Sequence, residues 1–271
     1  MDQIELLFLG TGTSAGVPMI GCHCAVCTSA DPHDRRNRPS VVIGYAGLRV
    51  LVDSTPELRL QCVANGVDMI DAVVYTHAHA DHIMGLDDLR RFNALRGGPL
   101  DVWADAQTHK TLGQCFKYAF EDPPPEVKVF RPRLEPRTIE GPFSIGPATW
   151  MPIRLTHNNS YVLGFRVGSL AYCTDVSAIP DEAWPMLEGL DVLVLGALAK
   201  NKHPSHFSID EAVAAAERIG AKRTLFTHIG HTLPHEQTNR SLPPTMRLAY
   251  DGQRVTAEFE IEPRMGADGR G

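Results

Sequence analysis

Residues 71–82 read DAVVYTHAHADH, a short apolar run that ends in three histidines and one aspartate within six positions. In extended backbone alternate side chains share a face, so the run reads as a buried strand whose end delivers His77 and His79 to one side. Asp81 and His82 follow at the start of an expected helix, and all four groups are donors that zinc or manganese accepts. Four such donors are too many for one open zinc site and too few for two closed ones. A dinuclear centre therefore needs donors from other strand ends. The sequence offers three: His157 ends WMPIRLT, Asp175 follows LAYCT and His228 follows RTLFT. Each alone would more often be a capped loop residue, but three in a chain that also carries HAHADH read as one site.

The surrounding chain has 271 residues, 43% hydrophobic, with a net charge of −6. That is enough apolar content for one large domain, and no repeat, low-complexity tract or linker divides it, so residues 1–271 are expected to form a single hydrolase domain. The acidic balance disfavours a long nucleic acid as partner. MDQIELLFLG is acidic where a signal peptide is basic and no apolar run has membrane length, so the expected location is cytoplasmic.

Strands are expected at IELLFLG, SVVIGYAGLRVLVDS with a turn at Gly47, DAVVYTH, VLGFRVGSLAYCTD with a turn at Gly168 and Ser169, DVLVLGA and RTLFTH. RLAYDGQRVTAEFEI, with Asp251 and Gly252, carries the clearest hairpin signal. Helices are expected at PELRLQCVANG, IMGLDDLRRFNALR, AQTHKTLGQCFKYAF and SIDEAVAAAERIGA, the last opened by a capping box from Ser208 to Glu211 and closed near Gly220. EDPPPEVKVFRPRLEPR reads as an irregular surface connection. Mixed hairpins and interspersed helices suggest an α/β protein with sheets packed face to face and helices outside.

Of the six cysteines, Cys62, Cys115 and Cys173 stand singly among apolar residues and are expected to be small core side chains. Cys22, Cys24 and Cys27, in CHCAVC, can converge on one soft cation, which leaves a tetrahedral site one ligand short. An unliganded thiol cluster remains the alternative until a fourth ligand is found.

HAHADH with His157, Asp175 and His228 in that order resembles the metallo-β-lactamase superfamily, whose fold is an αββα sandwich with a dinuclear centre at strand ends. The resemblance implies that His77, His79 and His157 hold one metal, that Asp81, His82 and His228 hold the other, and that Asp175 bridges them. It places Asp53, in RVLVDS, as a buried support for the ligands. Within the superfamily, LGTGTSAGVP and CHCAVC are most similar to the cyclic-phosphate phosphodiesterases of phosphonate degradation. Those enzymes carry a structural zinc whose fourth ligand is a histidine three residues beyond the last active-site histidine; THIGH puts His231 there. His23, between the thiols, is then expected to face solvent.

The resemblance also implies a metal-dependent phosphodiesterase that converts a small phosphodiester or cyclic phosphate to a phosphomonoester, using two active-site metals, zinc or manganese, and one structural zinc. A phosphodiester's departing alkoxide needs a proton, and His206, before the capped helix, matches the histidine that such enzymes place opposite the metals. Lys200, Lys202 and His203 either add charge toward a phosphate or form an ordinary solvated loop. The relatives suggest a homodimer. No long Gly/Pro-rich basic insertion suited to gripping tRNA is found, which disfavours a tRNA endonuclease. Thioester or lactam hydrolysis on the same metals, and a non-hydrolytic role in cofactor biosynthesis, remain as alternatives.

Overall fold

A computed structural model describes residues 2–121 and 130–259. In chain order the first half contributes β1 (Asp2–Gly10), β2 (Ser40–Tyr45), β3 (Leu48–Val52), α1 (Leu58–Asn65), β4 (Ala72–Val74), α2 (Ala80–Ile83), α3 (Arg90–Arg96), β5 (Leu100–Ala104), α4 (Ala106–Cys115) and α5 (Lys117–Phe120). The second contributes β6 (Leu134–Thr138), β7 (Phe143–Ile145), β8 (Ala148–His157), β9 (Ser160–Val167), β10 (Leu170–Cys173), β11 (Val192–Gly196), α6 (Ile209–Ile219), β12 (Arg223–Thr227), α7 (His235–Ser241), β13 (Met246–Leu248) and β14 (Arg254–Phe259).

The strands form two mixed seven-stranded sheets, ordered β14-β1-β2-β3-β4-β5-β6 and β13-β12-β11-β10-β9-β8-β7. Each has an antiparallel half and a parallel half, the parallel pairs being β3 to β6 in one and β10 to β13 in the other. Period-two alternation sets the layers: Ile4, Leu6 and Phe8 of β1 face the second sheet, while Leu7 and Leu9 face the outer helices. On β10, Leu170 and Tyr172 face inward and Ala171 and Cys173 outward. One apolar layer thus lies between the sheets and one lies outside each, which is the expected αββα sandwich.

The helix α6 shows how local signals anchor the site's surroundings. Ser208 and Glu211 make the full capping box, Gly220 closes the helix at φ 69°, and Ile209, Ala212, Ala215 and Ala216 form its buried stripe. Two other expected helices are interrupted. Residues 83–96 break near Gly85, whose amide bonds to Ser54 O at 2.9 Å and where a Cβ would lie 1.9 Å from Thr55 O. The chain there is stitched to the end of β3 and cannot continue as one helix. Residues 106–120 break at Phe116, which is buried with φ −131°.

Three further expectations are corrected. The segment at Asp251 and Gly252 is a crossing between sheets and not a hairpin, because β13 pairs with β12 while β14 pairs with β1. Asp251 accepts bonds there from Thr11 N, Thr11 Oγ1 and Asn37 N at 2.7–2.9 Å, and these long-range partners override the local turn signal. Within 121–137, residues 122–129 lie outside the described ones, but Leu134–Thr138 is an edge strand and not irregular chain. Pro136 is tolerated because the edge leaves one side of the backbone unpaired. Cys62 and Cys173 are buried as expected, whereas Cys115, at the last turn of α4, is exposed. No helix among the described residues is long and apolar enough to cross a membrane.

Candidate metal centres

The chemistry-bearing residues gather at strand ends. Asp53 follows β3, His77 and His79 follow β4, His157 closes β8, Asp175 follows β10 and His228 follows β12. Asp53, Asp175 and His228 all have positive φ, between 54° and 62°, which is uncommon for residues with a Cβ. In each case the strand is turned sharply so that the side chain meets its neighbours at the rim, and strained backbone of this kind concentrates at functional sites.

Two groups of donor atoms result, each with all its ligand atoms within 4.8 Å of one another: His77, His79, His157 and Asp175, then Asp81, His82, Asp175 and His228. Asp175 belongs to both. Its Oδ2 lies 3.2 Å from His228 Nε2 and 3.9 Å from His77 Nε2, and its Oδ1 lies 3.3 Å from His82 Nε2. Asp81 Oδ2 is 3.3 Å from His82 Nε2 and 3.7 Å from His228 Nε2. The residues fit a pair of divalent cations on two grounds. The donors are imidazole and carboxylate, and His77 Nε2, His82 Nε2 and both nitrogens of His228 are buried without a hydrogen-bond partner among the described residues.

A supporting network orients these rings. His77 Nδ1 and Thr76 Oγ1 are 3.0 Å apart, Thr76 Oγ1 donates to Asp53 Oδ2 at 2.8 Å, and His82 Nδ1 reaches the same oxygen at 2.7 Å. Asp53 Oδ1 accepts from Thr76 N at 2.8 Å. With their Nδ1 atoms so engaged, both imidazoles present Nε2 to the centre. His157 Nδ1 similarly donates to Ser205 O at 2.8 Å. The family resemblance had offered Asp53 as a support. Thr76 and the Ser205 carbonyl were not: a threonine beside a histidine is unremarkable in sequence, and a carbonyl has no side-chain signature.

The electrostatics of the two groups differ. Burial and the neighbouring rings hold His77 well below the ordinary imidazole range, and His79 is lowered for the same reasons. In the second group Asp175 and Asp53 outweigh burial and lift His82 well above it, while Asp175 and Asp81 raise His228 to about 9. Asp81 and Asp175 are correspondingly depressed, because the close approach of His82 and His228 outweighs their burial. A cation entering the second group must displace protons, whereas His77 and His79 are already neutral at pH 7. Metal affinity at the second group should therefore rise with pH toward about 9, while His77 and His79 add little pH dependence to the first near neutrality. Calorimetric metal titrations in buffers of different ionisation enthalpy at pH 6.5 and 8.5 check this; equal proton release in both binding steps would contradict it.

His206 stacks on His228 with ring centroids 4.5 Å apart and meets His157 at 4.9 Å. Its segment is tied at both ends, since Phe207 N bonds to Val176 O at 2.7 Å, Leu198 N to Phe207 O at 2.9 Å and Ile209 N to Ala199 O at 2.8 Å. Burial, with His228 adding to it, pushes His206 down to about 3, so its imidazole is neutral in the protein alone. Lys202 pairs with Glu211 at 3.1 Å, Lys200 lines a separate cleft with Ile209 and Leu233, and His203 Nδ1 meets Ser205 Oγ at 3.0 Å. A pocket of about 290 Å³ opens beside the first group, lined by His79, His157, Asn158, Asn159, Ser160 and Ser205. A larger apolar cavity of about 700 Å³, between α1 and α3, includes none of the residues of either group.

The thiol cluster lies next to this site. His231 Nδ1 is 3.2, 3.4 and 3.7 Å from the sulfurs of Cys22, Cys24 and Cys27. A tetrahedral zinc with Zn–S and Zn–N bonds of about 2.3 and 2.0 Å separates those atoms by ~3.5 Å, so the four donors already stand at zinc-site spacing. The Cys27 amide, 3.5 Å from Cys24 Sγ, lowers the Cys24 thiol to about 6, which favours thiolate. His23 is exposed. Arg36, a residue that sequence reasoning missed, has no exposed side-chain surface and holds the same loop through Gly230 O, Leu233 O and Asp34 Oδ1 at 2.9–3.3 Å. An arginine in RRNR carries no local sign of burial.

Two face-to-face mixed sheets with paired imidazole–carboxylate groups at their strand ends define a metal-dependent hydrolase. A family model for the β-lactamase superfamily domain matches residues 48–229, and the chain belongs to that superfamily. A crystal structure of a diphosphatase from the PhnP family is 45% identical, with a TM-score of 0.88 over 94% of this chain and 97% of that one. An octanoyltransferase of Porphyromonas gingivalis is 36% identical over 253 residues, 92% of this chain. The chain spans about half of that relative's length, 51%. A ribonuclease Z of Bradyrhizobium sp. (strain ORS 278) is 27% identical over 94% of this chain and 100% of its own.

Proposed function

We propose that the protein hydrolyses a small phosphodiester or cyclic phosphate to a phosphomonoester. The observation that carries this reading is the sharing of Asp175 by two donor groups with His206 stacked alongside. His77, His79 and His157 would hold one cation, Asp81, His82 and His228 the other, and Asp175 both. When bound, such a pair supplies positive charge for the phosphate oxygens and an acidified water as nucleophile. Asp53 and Thr76 hold His77 and His82 in the orientation the centre needs. His206 donates a proton from its ring to the departing oxygen. An anionic phosphate beside it favours the imidazolium and so opposes the burial that lowers its proton affinity in the protein alone. The pocket beside His79 and His157 suits a small leaving group, and its neutral amides and hydroxyls offer hydrogen bonds where a polynucleotide would need cations.

The 45% identical diphosphatase favours a second reading at the same site, hydrolysis of a diphosphate linkage, where the leaving group is itself a phosphate. Acyl hydrolysis is the third, supported by the octanoyltransferase match alone. Assaying bis(p-nitrophenyl) phosphate, a cyclic nucleotide, a nucleoside diphosphate ester and a thioester on one metal-analysed preparation separates them. Turnover of the thioester with none on either diester would overturn the phosphodiesterase reading.

Cys22, Cys24, Cys27 and His231 are read as a structural zinc site that fastens the N-terminal loop to the loop bearing His228. Cys24→Ala is expected to lose one tightly held zinc and lower Tm, since structural zinc contributes directly to folding. Elemental analysis and thermal melts check this, and an unchanged zinc count would count against the site.

A further inference from the structure

Another set of donors stands next to the same loop and takes part in neither metal group. The single helical turn Pro32–Asp34 brings His33 against His235 at the start of α7, with ring centroids 4.6 Å apart. That spacing matches the imidazoles of the first donor group, 4.5 Å for His77 with His79 and 5.1 Å for His79 with His157. Ligand atoms of His33, His235 and Glu236 lie within 4.8 Å of one another. His235 is only 5% exposed, and its Nδ1 is buried without a hydrogen-bond partner among the described residues. Tyr250 packs on both rings, at 4.2 and 5.9 Å, but stacking does not satisfy a ring nitrogen. Negative charge is at hand: Asp31 Oδ1 lies 3.6 Å from His33 Nδ1, and the nearby Arg36 is paired with Asp34 at 3.1 Å.

We propose that His33, His235 and Glu236 form a further divalent-metal site, suited to zinc through two imidazoles and one carboxylate with a water completing the shell. Nitrogen and oxygen donors on a tetrahedral zinc stand ~3.3 Å apart. The side chains of His33 and Glu236, one half-buried and one exposed, must therefore close inward on the fixed His235. That adjustment, and the lack of a thiolate, make the site weaker than the cysteine cluster. Zinc held there would clip the turn at His33 to α7, just beyond the loop that carries His228 and His231.

The test uses the whole protein with its cysteine and dinuclear sites already loaded, titrated with zinc chloride by calorimetry, with metal counted after gel filtration. One further zinc per chain is expected at micromolar zinc. His33→Ala and Glu236→Gln should each weaken that step at least ~10-fold while leaving the other metals and the hydrolytic activity unchanged. Crystals soaked in zinc should show an anomalous peak within bonding distance of His33 and His235. The proposal is overturned by no further equivalent, by one insensitive to both substitutions, or by binding at millimolar zinc only.

Discussion

Asp175→Asn is expected to lower kcat/KM by roughly 10³-fold or more on every substrate, the scale of the several kcal/mol that a metal pair contributes to a transition state. The reason is geometric. Asp175 faces His77 and His228 with one oxygen and His82 with the other, at 3.2–3.9 Å, and is the one residue common to both donor groups. Asparagine keeps the volume but removes the charge and replaces one oxygen with a nitrogen that cannot serve as a ligand. Metal content should fall at both positions, and added metal should restore part of the activity. Asp81→Ala offers the contrast, because Asp81 belongs to one group and should empty one position. Elemental analysis beside kinetics checks both variants. Full occupancy and normal turnover in Asp175→Asn would remove the shared-carboxylate assignment.

His206→Ala should keep both metals and lose kcat selectively. A general acid matters most for a poor leaving group, so an alkoxide diester should slow by roughly 10²- to 10⁴-fold. A p-nitrophenyl ester, whose leaving group needs little protonation, should lose clearly less. His206 contributes no atom to either donor group, yet its ring stacks on His228 at 4.5 Å, so metal content must be measured with the rates. Equal losses on both substrates would assign His206 to phosphate binding or to support of His228, and the proton would then have another source.

What could be read in advance depended on whether a signal was local. HAHADH lies within six residues, so backbone geometry alone keeps His77, His79, Asp81 and His82 near one another whatever the rest of the chain does. His157, Asp175 and His228 were visible because each polar donor interrupts or closes an apolar strand. The capping box of α6 was visible because its hydrogen bonds span three residues. The family resemblance added His231, and the structure sets that ring 3.2–3.7 Å from the three sulfurs.

The sequence by itself therefore indicated the fold class, offered the candidate donor residues and marked the strand ends that bear them. Tertiary structure decided which groups orient those donors: Thr76 under His77, the Ser205 carbonyl under His157 and buried Arg36 under the loop of His228. It also sent the chain across sheets at Asp251 and Gly252, where local preference favoured a hairpin. Local patterns record how a chain turns and which faces it buries. Which sheet a strand joins, and which carbonyl meets a given ring, depend on packing between segments as far apart as Thr11 and Asp251, and residue-to-residue periodicity carries no record of that contact.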